Sequence, residues 1–357
     1  MVKLQLSKIE LREYLAFMKK VYKDDKNFKD NKTGVINIAC KKNRPFFKSS
    51  LQEIVCVKEN GEILCACVLI INNKAPKELC VSFFEALPEC DKAVSILINY
   101  AEEFGRKNAC SKIVVALDGH VNYSVGFGGN TDVPSFGESY SPTYYHKYFE
   151  NFSKVKFVSF FDVANLVRER IDEDIKKFEK QIEKTSIEYA DFGKDFNKTM
   201  KRYTDLNNKI FEGHRYYYFR DYDEDADLFK DMRPLLENHN LIFAKQNGED
   251  IGFILWYPDY NELVPVGKGA SIMTFIKYKL LAKRPKTAKV VEIAVLPKYR
   301  QFGVALSLFD AAIKETSKNT NKIMSSWILD ENIKSKSLTS RYTKQHYKEY
   351  FTYEKEI

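Results

Sequence analysis

The sequence predicts a mixed α/β (α+β) chain of two tandem domains, each a mixed, mostly antiparallel sheet flanked by helices. Three observations carry this reading. The chain has 357 residues, enough for two domains of ordinary size. Each half holds an Asn-Gly step between two apolar runs, a strong hairpin signal: Asn60-Gly61 in the first and Asn247-Gly248 in the second. In each half the hairpin is followed by strand, helix and strand, an order that gathers helices around one sheet.

In the first half, "LSKIELREYLAFMKKVY" reads as a helix with Ser7 as N-cap and Glu10 at the capping-box position. The hairpin "EIVCVKENGEILCACVLIIN" follows, then a strand in "ELCVSFFEAL", a helix in "CDKAVSILINYAEEFGRKNA" and a strand in "KIVVAL". A loop with Gly126, Gly128 and Gly129 comes next. A phosphate cradle of the dinucleotide type must leave a strand and open a helix at once. This loop runs on through Asp, Pro and Ser, so it reads as a long surface or substrate-lining loop. "YYHKYFENF" is a short aromatic helix and "VKFVSFFDV" a strand. "NLVRERIDEDIKKFEKQIEK" is dense in alternating charge and reads as an exposed linker helix.

The second half opens with a strand in "SIEYADF". Two helices, "FNKTMKRYTDLNNKIF" and "DADLFKDMRPLLEN", then flank the aromatic loop "FEGHRYYYFRDYD". After the second hairpin come the strand "AKVVEIAVL", the helix "GVALSLFDAAIKETSK", the strand "NKIMSSWIL", a short helix in "KSKSLTSRYTK" and a final strand in "HYKEYFTYEKE".

Composition narrows the function. At 44% hydrophobic and 14% aromatic residues the chain can build cores and is not a disordered polymer. The net charge of +8 favours anionic partners, but the basic residues are scattered, so nucleic acid is not the expected one. The N-terminus lacks the apolar core of a signal peptide and no apolar run reaches membrane-spanning length, so a cytoplasmic location without membrane contact is expected. All seven cysteines lie in the first third of the chain, and an odd count argues against a disulfide framework. Cys65 and Cys67 share one strand face and read as small core residues. The five histidines have no paired metal spacing, so no metal is expected.

One stretch carries chemistry: "EIAVLPKYRQFGVALSLF". Val290 to Val295 read as a largely buried strand. Pro297 ends its pairing, and Gly303 permits a tight turn and close backbone approach. The helix that follows has Ala305, Leu308, Phe309 and Ala312 on one apolar stripe. Its first amides lack helical partners and, with the helix dipole, form an anion site suited to a pyrophosphate. Ala305 is small enough to let a ligand lie close.

This segment resembles motif A of the GNAT acetyltransferase superfamily, Arg/Gln-x-x-Gly-x-Gly/Ala, here Arg300-Gln301-Phe302-Gly303-Val304-Ala305. "GEDIGFILWYPDYN" and "SWILDEN" extend the resemblance to a bacterial group of tandem proteins of that superfamily. The resemblance implies two tandem GNAT-like domains: a degenerate one over 1–165, a linker helix over 166–185, and one with an acyl-CoA site over 186–357. It implies acetyl-CoA, or another acyl-CoA, as donor, with its pyrophosphate on the amides of Arg300 to Ala305. The pantetheine would lie along Ala294 and Val295, where the next strand, Trp327 to Leu329, splays away. Asn332 matches the Asn that often follows that strand, and Ser335 a small residue one turn later. Many members place a Tyr seven residues after the Asn as general acid. Here that position is Thr339, which leaves Tyr342, one turn on, as the candidate. Glu292 is the candidate base for an acceptor ammonium, with Asp330 and Glu331 as weaker ones. Tyr217, Tyr218, Arg220 and Tyr260 fall where the superfamily lines its acceptor side, and an aromatic packing cluster is the alternative there.

The matching turn of the first half, in "FFEALPECDKAV", has neither Gly nor Arg at the required spacing, and Pro88 occupies it. No standard CoA site is expected in that half. The resulting expectation is an N-acetyltransferase acting on a small-molecule or peptide amine by direct attack. The alternatives are a non-catalytic CoA- or ligand-sensing protein and a tRNA-dependent aminoacyl transferase. The lack of a long helical arm and the retained motif weigh against the last.

Overall fold

The computed structural model describes residues 4–300, 303–316 and 319–357. Residues 1–157, 265–269 and 349–357 form one compact unit, and residues 158–264 and 270–348 a second.

The first unit begins with strand β1 (Leu4–Lys8), then helices α1 (Leu11–Val21), α2 (Lys32–Cys40) and α3 (Pro45–Lys48). Strands β2 (Ser50–Glu59), β3 (Glu62–Asn72) and β4 (Glu78–Ala86), helix α4 (Asp91–Lys107) and strands β5 (Lys112–Val115) and β6 (Phe127–Gly128) follow. Ser7 is not a helix cap. It lies in β1 opposite Cys56, because "LQLSK" pairs antiparallel with β2, and the helix starts only after Glu10. The β2–β3 hairpin turns on Asn60 and Gly61, both at positive φ, as a tight right-twisted hairpin requires. β4 and β5 run parallel. All seven cysteines are buried thiols without disulfides, and Cys65 and Cys67 sit in the core of this unit beside Leu97 and Phe84. The aromatic helix is a 3-10 turn over Thr143–Phe149.

The second unit takes the end of β7 (Ser153–Val163), then α5 (Ala164–Lys177), α6 (Glu179–Ile182), β8 (Ser186–Tyr189), α7 (Phe196–Phe211), α8 (Tyr222–Lys230), β9 (Leu241–Gln246) and β10 (Glu249–Pro258). After them come α9 (Ile272–Phe275), β11 (Thr287–Val295), α10 (Val304–Thr316), β12 (Lys322–Ser325), β13 (Ile328–Leu329), α11 (Ile333–Tyr342) and β14 (Gln345–Glu356). Its sheet runs β8-β9-β10-β11-β12-β7, antiparallel except for the β11–β12 pair. The charge-dense helix α5 is exposed on one face only. Val167 and Ile171 bury its other face in the core built around α10. A second core, on the opposite face of the sheet, joins α7 and α8 to β9 and β10.

The C-terminal strand serves the first unit. Tyr353 to Glu356 of β14 pair with β5, and Tyr350 and Phe351 pair with β6. That pairing explains the Gly-rich loop. Gly126 has a φ of +82°, and a Cβ there would stand 2.7 Å from Tyr350 Cβ, so the glycine lets the loop backbone lie against β14. Among the described residues no helix is long and apolar enough to cross a membrane.

Candidate active site

The site is assembled around the C-terminal end of β11. Beyond it, Pro297–Tyr299 make a 3-10 turn, Gly303 takes a φ of +73°, and α10 starts at Val304. Only a glycine adopts that φ without strain. Val304, Leu308 and Ala312 anchor α10 in the core, which fixes its N-terminus at the strand end. The first turn of α10 carries no acidic residue to repel an anion at its amides. Arg300 is exposed and its Nε donates to Val295 O at 3.1 Å. Ala305 is partly exposed beside the helix start, and Ala294 and Val295 are buried. Gln301 and Phe302 lie outside the described residues.

β11 and β12 are in parallel register from Thr287↔Lys322 to Val290↔Ser325, with a further bond from Ser326 N to Val290 O at 2.8 Å. The strand beside β11 is thus Lys322–Ser325, and Trp327 comes after its end. The residues Glu292 to Val295 lie past that last pair and keep their pairing to β10 on the other edge. Asn332 caps α11 by accepting from Ser335 N at 3.2 Å, so these two residues are tied to each other at the helix start.

A register shift in the β10–β11 ladder puts one extra residue, Val291, between the pairs Leu255↔Glu292 and Trp256↔Val290. Such bulges re-aim side chains. Here Val290 and Ile293 join the α10 core, while Glu292 turns to α7 on the other face. Tyr203 Oη donates to Glu292 Oε2 at 2.7 Å, and Asn207 Nδ2 lies 3.1 Å from both carboxylate oxygens. Burial raises the Glu292 pKa to about 7. The Tyr203 and Asn207 bonds pull against that rise, Asp225 adds to it and Arg220 opposes it. Sequence reasoning missed Tyr203 and Asn207. The available signal was a polar Asn on the buried stripe of α7 with Met200, Tyr203, Leu206 and Ile210.

The aromatic loop between α7 and α8 is pinned by Asn208. Its Oδ1 accepts from Tyr217 Oη and Arg220 N, both at 2.8 Å, and its Nδ2 donates to Arg220 O at 2.9 Å. Tyr217 is close enough to Glu292 for the carboxylate charge to help raise its pKa, after the larger effects of burial and Asp225. Burial, and then the neighbouring Arg300, keep His214 below the ordinary imidazole pKa. Arg215 reaches Glu331 at 3.6 Å. The loop therefore stands beside both the carboxylate and the helix-start turn, with Tyr217 and Tyr218 half-buried and Phe219 63% exposed.

Three expected contacts are placed otherwise. Arg220 is fully buried and its Nε is bound to Asp225 Oδ1 at 2.6 Å, so it holds the loop rather than facing an acceptor. Tyr260 is also fully buried. It donates to Leu235 O at 2.8 Å and packs edge-on against Tyr278, which makes it part of the aromatic cluster that was the alternative. Tyr342 donates its phenolic proton to Asp174 Oδ2 at 3.1 Å and packs on Phe309. Burial, then the charge of Asp174, raise its pKa, which opposes the role of acid. Asp330 is occupied by Lys336 at 2.7 Å.

The equivalent turn of the first unit differs in charge and strain. Glu89 stands there with a φ of +58°, a conformation costly for a side chain, and α4 opens on Asp91. Both carboxylates disfavour an anion at that helix start.

Residues 201–341 match the model of the Acetyltransferase (GNAT) family. No curated protein matches the sequence. Among solved structures, the chain is similar to a tandem GNAT protein from the clavulanic acid biosynthesis pathway, solved without AcCoA. The TM-score is 0.55 at 8% identity, over 99% of this chain and 98% of that one. It is also similar to a GCN5-related N-acetyltransferase from Sphaerobacter thermophilus (TM-score 0.50, 9% identity, 99% and 95% covered). A third is a probable N-acyltransferase of unknown function from Enterococcus faecalis V583 (TM-score 0.52, 8% identity, 99% and 73% covered). The fold is that of tandem GNAT proteins. The stretch that matches the family model, residues 201–341, belongs to the second unit apart from residues 265–269.

Proposed function

We propose that the second unit is an acyl-CoA-dependent N-acyltransferase that acts on an amine by direct attack. The observation that carries this is the pairing, at one strand end, of a carboxylate poised near neutrality with an anion-binding helix start. The residues present fit the donor: Gly303 and the first amides of α10 for the pyrophosphate, the β11 backbone at Ala294 and Val295 for the pantetheine, and Asn332 and Ser335 near its far end. Coenzyme A supplies the activated thioester.

The acceptor amine enters on the α7 face, beside Tyr217 and Tyr218. Glu292 takes a proton from its ammonium, directly or through one water, while Tyr203 and Asn207 hold the carboxylate in place. The freed nitrogen forms a bond to the thioester carbon and the carbon–sulfur bond breaks; the nitrogen then releases its second proton to solvent, and the departing thiolate takes one up from solvent. Tyr342 has no part in that step. Acetyl is the donor carried by the resemblance alone.

Calorimetric titration of the full chain with CoA and acetyl-CoA tests the reading, followed by thioester turnover across a panel of amines. Binding without turnover of any amine would favour a sensing role. No binding at millimolar CoA would end both readings.

A further inference from the structure

The layer between the sheet and the helices of the second unit contains an apolar pocket. Val290 and Ile293 of β11, Ile323 of β12, Phe309 and Ala312 of α10 and Ile171 of α5 line it. No charged side chain contributes to its wall, and the polar lining is limited to hydroxyls such as those of Thr316 and Ser325. Protein interiors pack closely and leave few such spaces, so an apolar one of this kind is suited to an uncharged alkyl group.

Its position says which alkyl group. Val290 and Ile293 bracket Glu292 along β11 but point to the opposite face of the sheet. Val290 also accepts the last bond from the β12 segment, so the pocket lies at the closed end of the gap where the two strands part. A thioester carbon within reach of an amine at Glu292 would sit in that gap, with its acyl tail toward the pocket. A single methyl group would leave the pocket mostly empty. We propose that the donor is an acyl-CoA whose alkyl chain is longer than acetyl and is held in this pocket. The proposal rests on the acyl-CoA reading above.

The test is titration of the full chain with CoA and with hydrolysis-stable S-alkyl-CoA thioethers from ethyl to octyl. The expected result is an affinity that climbs about fourfold per added methylene until the pocket is full, then levels. Ala312→Phe, and the milder Ala312→Leu, should flatten that climb. If CoA binds but affinity is the same from ethyl to octyl, the pocket proposal is overturned and the acyltransferase reading stands. If CoA itself does not bind, both fall. A climb that persists in a folded Ala312 variant also overturns the placement. Should Ala312→Phe fail to melt cooperatively, the wild-type series and Ala312→Leu still decide.

Discussion

Asn207 stands 3.1 Å from each carboxylate oxygen of Glu292, with one amide group serving both. Tyr203, one helical turn earlier on α7, donates to the same carboxylate. These bonds favour the charged form and burial favours the neutral one, and the balance falls at about 7. A carboxylate on the strand and its two donors on one helix face are thus held where the carboxyl can change charge near neutral pH.

This balance sets the pH dependence of both activity and stability. kcat/KM should rise with pH through a midpoint of about 7. Glu292→Gln should remove that limb and lower the rate about 10²- to 10⁴-fold. Stability moves the other way. The folded pKa lies above the usual 4.5, so the folded state holds the proton more tightly. That advantage is complete below the lower value and is lost as pH rises through the upper one. Relative to Glu292→Gln, the wild type should therefore lose up to about 3 kcal/mol between about pH 4 and about pH 8. Urea denaturation of both proteins at the two pH values checks this. A stability gap independent of pH would refute the shifted carboxylate.

Asn207→Ala withdraws one donor from the charged form of Glu292. The kinetic midpoint should then move upward by about one pH unit, as expected for loss of a hydrogen bond to a charged group. Asn207→Asp adds a like charge and should move it further. The pH profile at saturating donor reads the shift directly. An unmoved midpoint in both variants would separate Asn207 from the titrating group.

Arg220 and Asp225 are both fully buried and joined at 2.6 Å, with Thr204 Oγ1 donating to the other carboxylate oxygen at 2.8 Å. Asp225→Ala strands a buried cation and should cost about 3–5 kcal/mol. The double change Arg220→Met with Asp225→Leu should recover most of that, since replacing both charges removes the desolvation they share. Equilibrium denaturation measures both. Equal losses in the single and double variants would show that the pair acts only through its volume.

The legible parts of this chain were local. Asn60-Gly61 and Asn247-Gly248 turn as hairpins because both residues of each pair adopt positive φ. Gly303 announces its turn for the same reason. The misplaced parts depend on distant partners. Ser7 has a cap-like spacing, yet five residues around it satisfy their backbone by pairing with β2. Tyr260 and Arg220 have the composition of a binding surface, but Tyr278 and Asp225, which enclose them, are not marked by any periodicity. Glu292 was visible as a carboxylate on a strand. Its orientation depends on the bulge at Val291, and its donors come from a helix more than eighty residues earlier.

The two helix-start turns predict one CoA bound per chain. Gly303 at +73° and an acid-free first turn meet the needs of a pyrophosphate at α10. At α4 the left-handed position is filled by Glu89 at +58°, and Asp91 opens the helix. Gly303→Glu should therefore abolish binding altogether, with no weaker second site left behind, while the far-from-site melting of the first unit is unchanged. Glu89→Gly should raise stability by about 1 kcal/mol, because glycine carries no Cβ penalty at positive φ. It should not create a site, since Asp91 and Pro88 remain. Calorimetric stoichiometry decides: a CoA that still binds to Gly303→Glu would show that the first unit has kept a site its charges argue against.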